Sequence, residues 1–167
     1  MHTRNKLHNI ILYEFCWIEW QVNEETSEVR LNAADLEVSK VQWESAGNKQ
    51  EAKSFSLDEK TETLRLSFEP SLKPSHGTLR IEFTGTLNDK MKGFYRSKFR
   101  GADGEDRYNA VTQFEATDAR RCFPSWDEPA IKVKNYLILV VLSWMFIVYI
   151  LIIIPNLFIN YTHIYNI

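Results

Sequence analysis

The chain contains little cysteine and little net charge, and each shortage excludes a class of protein. Its 167 residues include two cysteines, Cys16 and Cys122, too few and too widely spaced for the disulfide framework of a small secreted domain. We therefore expect two free thiols in a reducing compartment. A formal net charge of −2 does not fit the basic surface that nucleic-acid binding requires. The net charge therefore predicts no nucleic-acid partner, and the length predicts one domain.

Charged residues are missing altogether from the end of the chain. Residues 135–167 contain no Asp, Glu, Lys or Arg. Within this tail, residues 136–154 would span about 28 Å as a helix, close to the hydrocarbon thickness of a bilayer. We therefore expect a transmembrane helix over 136–154. Its orientation is expected from Lys132 and Lys134, which precede the run, because no cation follows it. It would insert as a single C-terminal pass with the preceding domain in the cytoplasm; a cytoplasmic location without this pass is the alternative.

The tail is open to two further interpretations. It is rich in Ile, Leu, Asn, Tyr and Phe and begins abruptly, as the translation of a retained intron or a misplaced gene end would. It could also be a buried core segment. At the other end, residues 1–20 carry a short apolar run that Glu14 and Glu19 interrupt, without a cleavage site. We expect a partly ordered strand there rather than a signal peptide.

The middle of the chain predicts antiparallel β-structure. Apolar residues alternate with polar ones in three runs, which are Val29, Leu31 and Ala33, then Leu64, Leu66 and Phe68, then Leu79, Ile81 and Phe83. We expect hairpins between 55–57 and 63–68, between 78–87 and 91–99, and between 94–99 and 108–114. The fold class is thus mainly β: a partial antiparallel β-sandwich or saddle-like sheet domain over 21–134, after a divergent segment 1–20 and before one C-terminal apolar helix.

Residues 112–129, here called the signature segment, combine six charged side chains, three aromatics and two prolines. This mixture is typical of an ordered loop held by ion pairs, where sites are often built. We expect one helical turn over 118–122, capped by Thr117 or Asp118 and ended by Pro124. The residues expected to form structural ion pairs are Asp118, Arg120, Arg121, Asp127 and Glu128.

Several stretches resemble the N-terminal domain of the M1 family of zinc aminopeptidases. They are NAADL at 32–36, LNDKMKGFYRS at 87–97, TQFEATDARR at 112–121, FP at 123–124 and WDEP at 126–129. The first two are especially similar to the puromycin-sensitive branch. The resemblance covers about residues 21–132 and implies a role in the release of N-terminal amino acids from peptides.

The resemblance implies that Glu115 helps to bind the free α-amino group of a peptide substrate, so peptide N-termini are the expected partners. Gln113 either supports this site or merely packs, and strand alternation is expected to put it on the same face as Glu115. Glu115 could instead be a buried ion-pair partner of Arg120 or Arg121.

The zinc site of the family does not appear in this sequence. It needs His-Glu-x-x-His with a further Glu downstream, and no such motif surrounds any of the four histidines. We therefore expect no cofactor in this chain, although full-length family members hold zinc, and no aminopeptidase activity from this chain alone. Three interpretations follow: a truncated aminopeptidase relative, a membrane-tethered module that binds peptides or a partner, and a non-functional gene fragment.

Overall fold

The computed structural model describes residues 11–128, 135–143, 146–154 and 164–166. Within these ranges the chain forms β-strands and one short 3-10 helix. The strands are β1 (Ile11–Val22), β2 (Thr26–Asn32), β3 (Leu36–Ser45), β4 (Asn48–Glu51), β5 (Ser54–Asp58), β6 (Thr63–Leu72), β7 (Ser75–Thr86), β8 (Gly93–Arg100), β9 (Asp106–Gln113), β10 (Asn135–Ser143), β11 (Phe146–Ile154) and β12 (Ile164–Asn166), and the helix is Ala119–Arg121. The prediction of a mainly β, antiparallel fold is confirmed.

The alternating apolar residues determine which face of each strand is buried. Leu64 and Leu66 of β6 and Leu79 and Ile81 of β7 are completely buried, whereas their neighbours in sequence are at least partly accessible. Successive side chains of a strand point to opposite faces, so this period of two gives each sheet one apolar face. All three alternating runs of the sequence are buried.

Two antiparallel sheets enclose the main core. One has the strand order β1-β7-β3-β4 and the other has the order β2-β6-β5. The first sheet contributes Val22, Leu36, Val41, Trp43, Leu79, Ile81 and Phe83 to one buried cluster, and the second contributes Val29, Leu31, Leu64, Leu66, Phe68 and Leu72. Burial of both apolar faces in a shared cluster makes this part of the chain a β-sandwich.

A third sheet has the order β12-β9-β8 and leads directly into the signature segment. Its β8–β9 hairpin confirms the predicted pairing of 94–99 with 108–114, and β5–β6 confirms the predicted pairing across residues 58–62. The predicted hairpin between 78–87 and 91–99 is wrong, because β7 pairs with β1 and β3. Long-range partners on both sides satisfy the backbone of β7 and leave no edge for β8.

Residues 136–154 do not form the predicted apolar helix. Their described parts belong to β10 and β11, which pair antiparallel from Asn135 opposite Ile154 to Ser143 opposite Phe146. A continuous apolar run rich in Ile and Val is typical of a buried strand as well as of a helix. The helix prediction rested on the length of the run and its lack of charge, which do not distinguish the two.

The prediction of a membrane location is contradicted as well. Across the described ranges, no helix combines the length and the apolar character needed to cross a bilayer. The prediction of a single C-terminal pass over 136–154 is therefore wrong. Lys132 and Lys134, from which its orientation was inferred, lie outside the described residues.

Candidate functional site

The signature segment leaves β9 at Gln113 and is attached to the end of β2. The Asn32 N–H donates to the Ser125 carbonyl at 2.7 Å, and the Ser125 N–H donates back to the Asn32 carbonyl at 3.0 Å. The Ala34 N–H donates to the Arg120 carbonyl at 2.9 Å. These backbone bonds hold the segment against the sandwich at two separate points.

One short 3-10 helix, Ala119–Arg121, lies where a helical turn was predicted. Asp118 occupies its N-cap position but makes no side-chain capping hydrogen bond. Its carboxylate instead accepts from Arg121 Nε at 2.9 Å. The capping role predicted for Asp118 is therefore replaced by an ion pair within the same turn.

Arg120 pairs with the most deeply buried carboxylate of the segment. Asp127 has a side chain 1% exposed, and its Oδ2 accepts from Arg120 Nε at 3.0 Å and from the Arg120 backbone N–H at 3.3 Å. Arg120 Nη1 also donates to Glu62 Oε2 at 3.2 Å. In addition, the Asp127 N–H donates to Asn32 Oδ1 at 3.2 Å. A charged pair at this depth is favourable only because several hydrogen bonds accompany it.

Arg121 contacts carboxylates from three separate parts of the chain. It donates to Asp118 through Nε at 2.9 Å, to Asp35 through Nη1 at 2.6 Å and to Glu62 through Nη2 at 2.5 Å. Burial alone would lower the pKa of Arg121, but hydrogen bonds to Asp118 and Asp35 and the charge of Glu62 raise this pKa above its ordinary value. The guanidinium thus stays cationic and joins the segment to the turns before β3 and β6.

Asp35 and Glu62 were missed as members of this cluster by the sequence analysis. Both adopt a left-handed backbone, with φ of 56° and 51°. Such values are uncommon outside glycine and here occur at two residues that pair with Arg121. Asp35 lies in the NAADL stretch, which carried a family resemblance but no assigned role, and nothing local singled out Glu62.

Aromatic side chains form a second attachment of the signature segment. Trp126 contacts Trp20 of β1 with ring centroids 5.2 Å apart, and Trp20 contacts Trp43 of β3 at 5.0 Å. Phe114 and Phe123 pack edge to face at 5.9 Å. Edge-to-face contacts of this kind add to the area that they bury. The segment is therefore fixed to the sandwich by ring packing as well as by charge.

The structure places the two predicted substrate-binding residues at the start of the segment. Gln113 is the last residue of β9 and is half-buried, whereas Glu115 is exposed and lies beyond the strand. Strand alternation therefore does not extend from Gln113 to Glu115. The peptide bond from Glu115 to Ala116 is cis. Glu128, predicted to join the ion pairs, is exposed and lies with Trp126 at a shallow cavity that also includes Arg30 and Arg65.

One cavity lies beside the ion-pair cluster, and Glu115 is not part of its lining. Its volume is about 560 Å³, and Asp35, Glu62 and Arg121 contribute to its lining together with Glu37 and Glu59. Its acidic residues are not arranged as metal ligands. Across the part of the chain that the structure describes, no three His, Cys, Asp or Glu side chains are grouped so that they could hold a metal ion.

A known protein family matches most of this chain, including β9 and the segment that follows it. The Peptidase M1 N-terminal domain matches residues 7–143, which is a wider range than the 21–132 expected from the motifs. The chain belongs to the peptidase M1 N-terminal domain family. The predicted family is confirmed.

Relatives of this M1 domain are named as aminopeptidases. The chain is 51% identical over 113 residues to Aminopeptidase M1-C of Oryza sativa subsp. japonica, and the match covers 68% of the chain and 12% of that protein. Aminopeptidase M1 of Arabidopsis thaliana is 45% identical over 119 residues, 69% of the chain and 13% of that protein. The puromycin-sensitive aminopeptidase of Caenorhabditis elegans is 34% identical over 116 residues, 69% of the chain and 12% of that protein. The chain thus spans about an eighth of the length of these relatives.

Proposed function

We propose that this M1 domain recognises the free α-amino group of peptides, with Glu115 as the acceptor and Gln113 as a supporting residue. The observation that carries the proposal is the position of Glu115. Its carboxylate is exposed to an incoming ligand, while the residues that follow it, from Asp118 onward, are held by ion pairs. A binding group on a loop that is fixed by its surroundings loses little conformational entropy when a ligand arrives.

The chemistry of the ligand explains why a carboxylate suits this position. A peptide α-amine has a pKa of about 7.7–8.0 and is therefore mostly cationic at neutral pH. Hydrogen bonds between such a cation and a carboxylate are about twice as strong as neutral ones. Internal peptide bonds carry no charge, so the same carboxylate distinguishes the end of a peptide from its middle.

The proposed role of this chain is recognition rather than hydrolysis. Members of the M1 family hydrolyse peptides with a zinc ion, which supplies an activated water when bound. The residues of this chain do not fit that ion, because its histidines lack the His-Glu-x-x-His pattern and the described donors are not grouped. Release of N-terminal amino acids would require a zinc site from residues other than those described.

Binding measurements on the full chain test this proposal. A short peptide with a fluorophore at its C-terminus is prepared with a free and with an acetylated N-terminus, and fluorescence anisotropy gives the two dissociation constants. We expect acetylation to weaken binding about tenfold, as for loss of a charge-assisted hydrogen bond. Glu115→Ala should remove this difference, and Gln113→Ala should reduce it.

The matched control is Glu105→Ala, which removes an exposed glutamate from the β8–β9 hairpin loop. This variant should keep the preference for the free amine. Equal affinity of the unmodified chain for both peptides would refute amine recognition. A preference that survives Glu115→Ala would instead show that another group accepts the amine.

A further inference from the structure

We propose that a cavity between β2, β6 and the signature segment binds a free amino acid as its zwitterion, with the carboxylate on Arg30 and Arg65 and the ammonium group on Glu128. The two arginines belong to β2 and β6, and Trp126 and Glu128 of the signature segment also line the cavity. Its volume of about 350 Å³ lies near the lower end of the roughly 300–1,000 Å³ typical of small-molecule sites, which favours a ligand as small as one amino acid. Glu115 is not part of this lining, so the inference does not depend on the amine-recognition role proposed above.

The strand register brings two like charges together on one face of the β2-β6-β5 sheet. Arg30 of β2 lies directly opposite Arg65 of β6. Both arginines are exposed, whereas Leu31 and Leu64 beside them are buried, so the two cationic side chains are on the outer face of the sheet. Like charges directly opposite each other destabilise a strand pair. An anion bound between the two guanidinium groups would offset this repulsion, so this face favours a ligand with a carboxylate.

The hydrogen-bonding capacity of both arginines is largely unused within the described residues. Glu28 accepts from Arg30 Nε at 2.5 Å and is the one described hydrogen-bond partner of the Arg30 side chain. Arg65 makes no hydrogen bond or ion pair with any described residue. A guanidinium presents its N–H donors as a planar fork that matches the two oxygens of a carboxylate. One ligand carboxylate would therefore accept hydrogen bonds from both strands.

Glu128 provides the complementary negative charge in the same cavity. It is exposed, and it forms no ion pair with any residue that the structure describes. It shares the lining with Arg30 and Arg65 but is paired with neither, so a gap separates the opposite charges. A free α-amino acid carries both an ammonium group and a carboxylate at neutral pH. Such a molecule can bridge the gap, whereas a simple anion would be repelled by Glu128.

Trp126 indicates which amino acids the cavity prefers. It is half-buried, and its ring packs against Trp20 of β1 with centroids 5.2 Å apart. Backbone hydrogen bonds between Asn32 and Ser125 hold the same stretch of the signature segment against the end of β2. An aromatic residue fixed in this way offers apolar area to a ligand at little conformational cost. We therefore expect large apolar amino acids such as leucine or phenylalanine to bind more tightly than glycine.

Equilibrium dialysis of the full chain with radiolabelled L-leucine tests this inference. Unlabelled competitors then measure each part of the ligand, because leucinamide lacks the carboxylate, N-acetyl-leucine lacks the ammonium group and glycine lacks the side chain. We expect a dissociation constant for leucine of about 0.1–1 mM, as for a few charge-assisted hydrogen bonds in a shallow cavity. Leucinamide and N-acetyl-leucine should compete about tenfold more weakly than leucine, and glycine about fivefold more weakly.

Substitutions within the lining separate the roles of the two charges. Arg65→Gln should weaken leucine binding about tenfold, and Arg65→Lys should retain part of it, since lysine keeps the charge but not the planar fork. Glu128→Gln should lower the affinity for leucine to that for N-acetyl-leucine. Both residues are exposed, so each variant should keep the circular dichroism spectrum and the unfolding midpoint of the unmodified chain.

Matched variants outside the lining control for a general loss of charge. Arg107→Gln and Glu105→Gln each remove an exposed charge near the β8–β9 turn and should bind leucine as the unmodified chain does. Glu115→Ala should bind leucine normally as well. If Glu115→Ala abolishes leucine binding and Glu128→Gln does not, leucine occupies the proposed amine site and this inference is wrong. Equal competition by leucinamide and leucine, or no measurable binding of leucine, would overturn it too. Failure of peptide-amine recognition at Glu115 would leave all these expectations unchanged.

Discussion

Arg121 shows how one side chain can position a whole loop. It reaches carboxylates at Asp35, Glu62 and Asp118, and the first of these lies 86 residues away in sequence. Partly buried ion pairs of this kind add little net stability, because the desolvation of each charge offsets most of the attraction. Their geometry is nevertheless restrictive, since a guanidinium forms its hydrogen bonds in one plane. The cluster therefore orients the signature segment more than it stabilises the domain.

Removal of one charge from the buried pair has a larger effect than the pair itself contributes. Asp127→Asn should lower the free energy of unfolding by about 3 kcal/mol, because Arg120 stays buried with Glu62 as its remaining carboxylate. Chemical denaturation measures this change. The control Asp106→Asn breaks the exposed pair with Lys98 and should lower stability much less, because water solvates both groups whether or not they are paired. Similar losses in the two variants would contradict a special role for burial at Asp127.

The sequence predicted the local members of this cluster better than the distant ones. Four members of the cluster lie within ten residues of one another, namely Asp118, Arg120, Arg121 and Asp127. This short stretch of opposite charges was sufficient to predict their ion pairs. Glu62 lies 59 residues from Arg121, in a turn that looks like an ordinary solvated loop. The backbone of Glu62 is left-handed, but glutamate is not a residue type that indicates this conformation. Contacts between residues so far apart in sequence can be recognised only when the pairing of the strands around them is known.

At the scale of the elements, β7 organises the larger sheet. It pairs with β1 along its whole length on one side and with β3 on the other. Gly77 allows a close approach there, because a Cβ atom at this position would lie 2.4 Å from Trp43 Cζ2 and 2.5 Å from the Glu44 carbonyl oxygen. Trp43 in turn contacts Trp20, so the packing of three strands depends on the absence of a side chain at Gly77.

Gly77→Ala should therefore be more harmful than an ordinary glycine substitution. The added methyl group meets the Glu44 backbone, which cannot rotate away, so we expect a loss of about 2–3 kcal/mol by thermal or chemical denaturation. Gly104→Ala is the matched control, because its φ is +80° but no atom lies within 4 Å of the new Cβ. It should lose only about 1 kcal/mol through backbone strain. A larger loss in the control would refute the steric argument.

Element prediction succeeded where pairing is local and failed where it is not. The β5–β6 and β8–β9 hairpins join neighbouring runs through short turns, so alternation and turn residues were sufficient. The pairing of β7 with β1 spans most of the domain, and no short-range pattern indicates it. The apolar run 136–154 was misassigned because an uncharged stretch without alternation fits either a helix or a buried strand.

At the scale of the molecule, the two sheets of the sandwich and the signature segment depend on each other. The segment contacts β1 through Trp126, the end of β2 through Ser125 and the turn before β6 through Arg120. The segment that carries Glu115 is therefore part of the fold, although the chain spans 12% of the length of an aligned rice relative. The proposed amine recognition would require the sandwich and the segment to fold together.

Cooperative unfolding is the measurement that separates a folded recognition domain from a non-functional fragment. Trp20, Trp43 and Trp126 report on contacts between the sandwich and the signature segment, and far-UV circular dichroism reports on the strands. If the parts fold as a unit, the two probes should give one coincident denaturation curve. Leu64→Ala, at a fully buried core position, should shift both curves together by about 3 kcal/mol. Different midpoints for the tryptophan signal and the circular dichroism signal would show that the segment detaches before the sandwich unfolds. A gradual change of both signals without a midpoint would support the fragment interpretation.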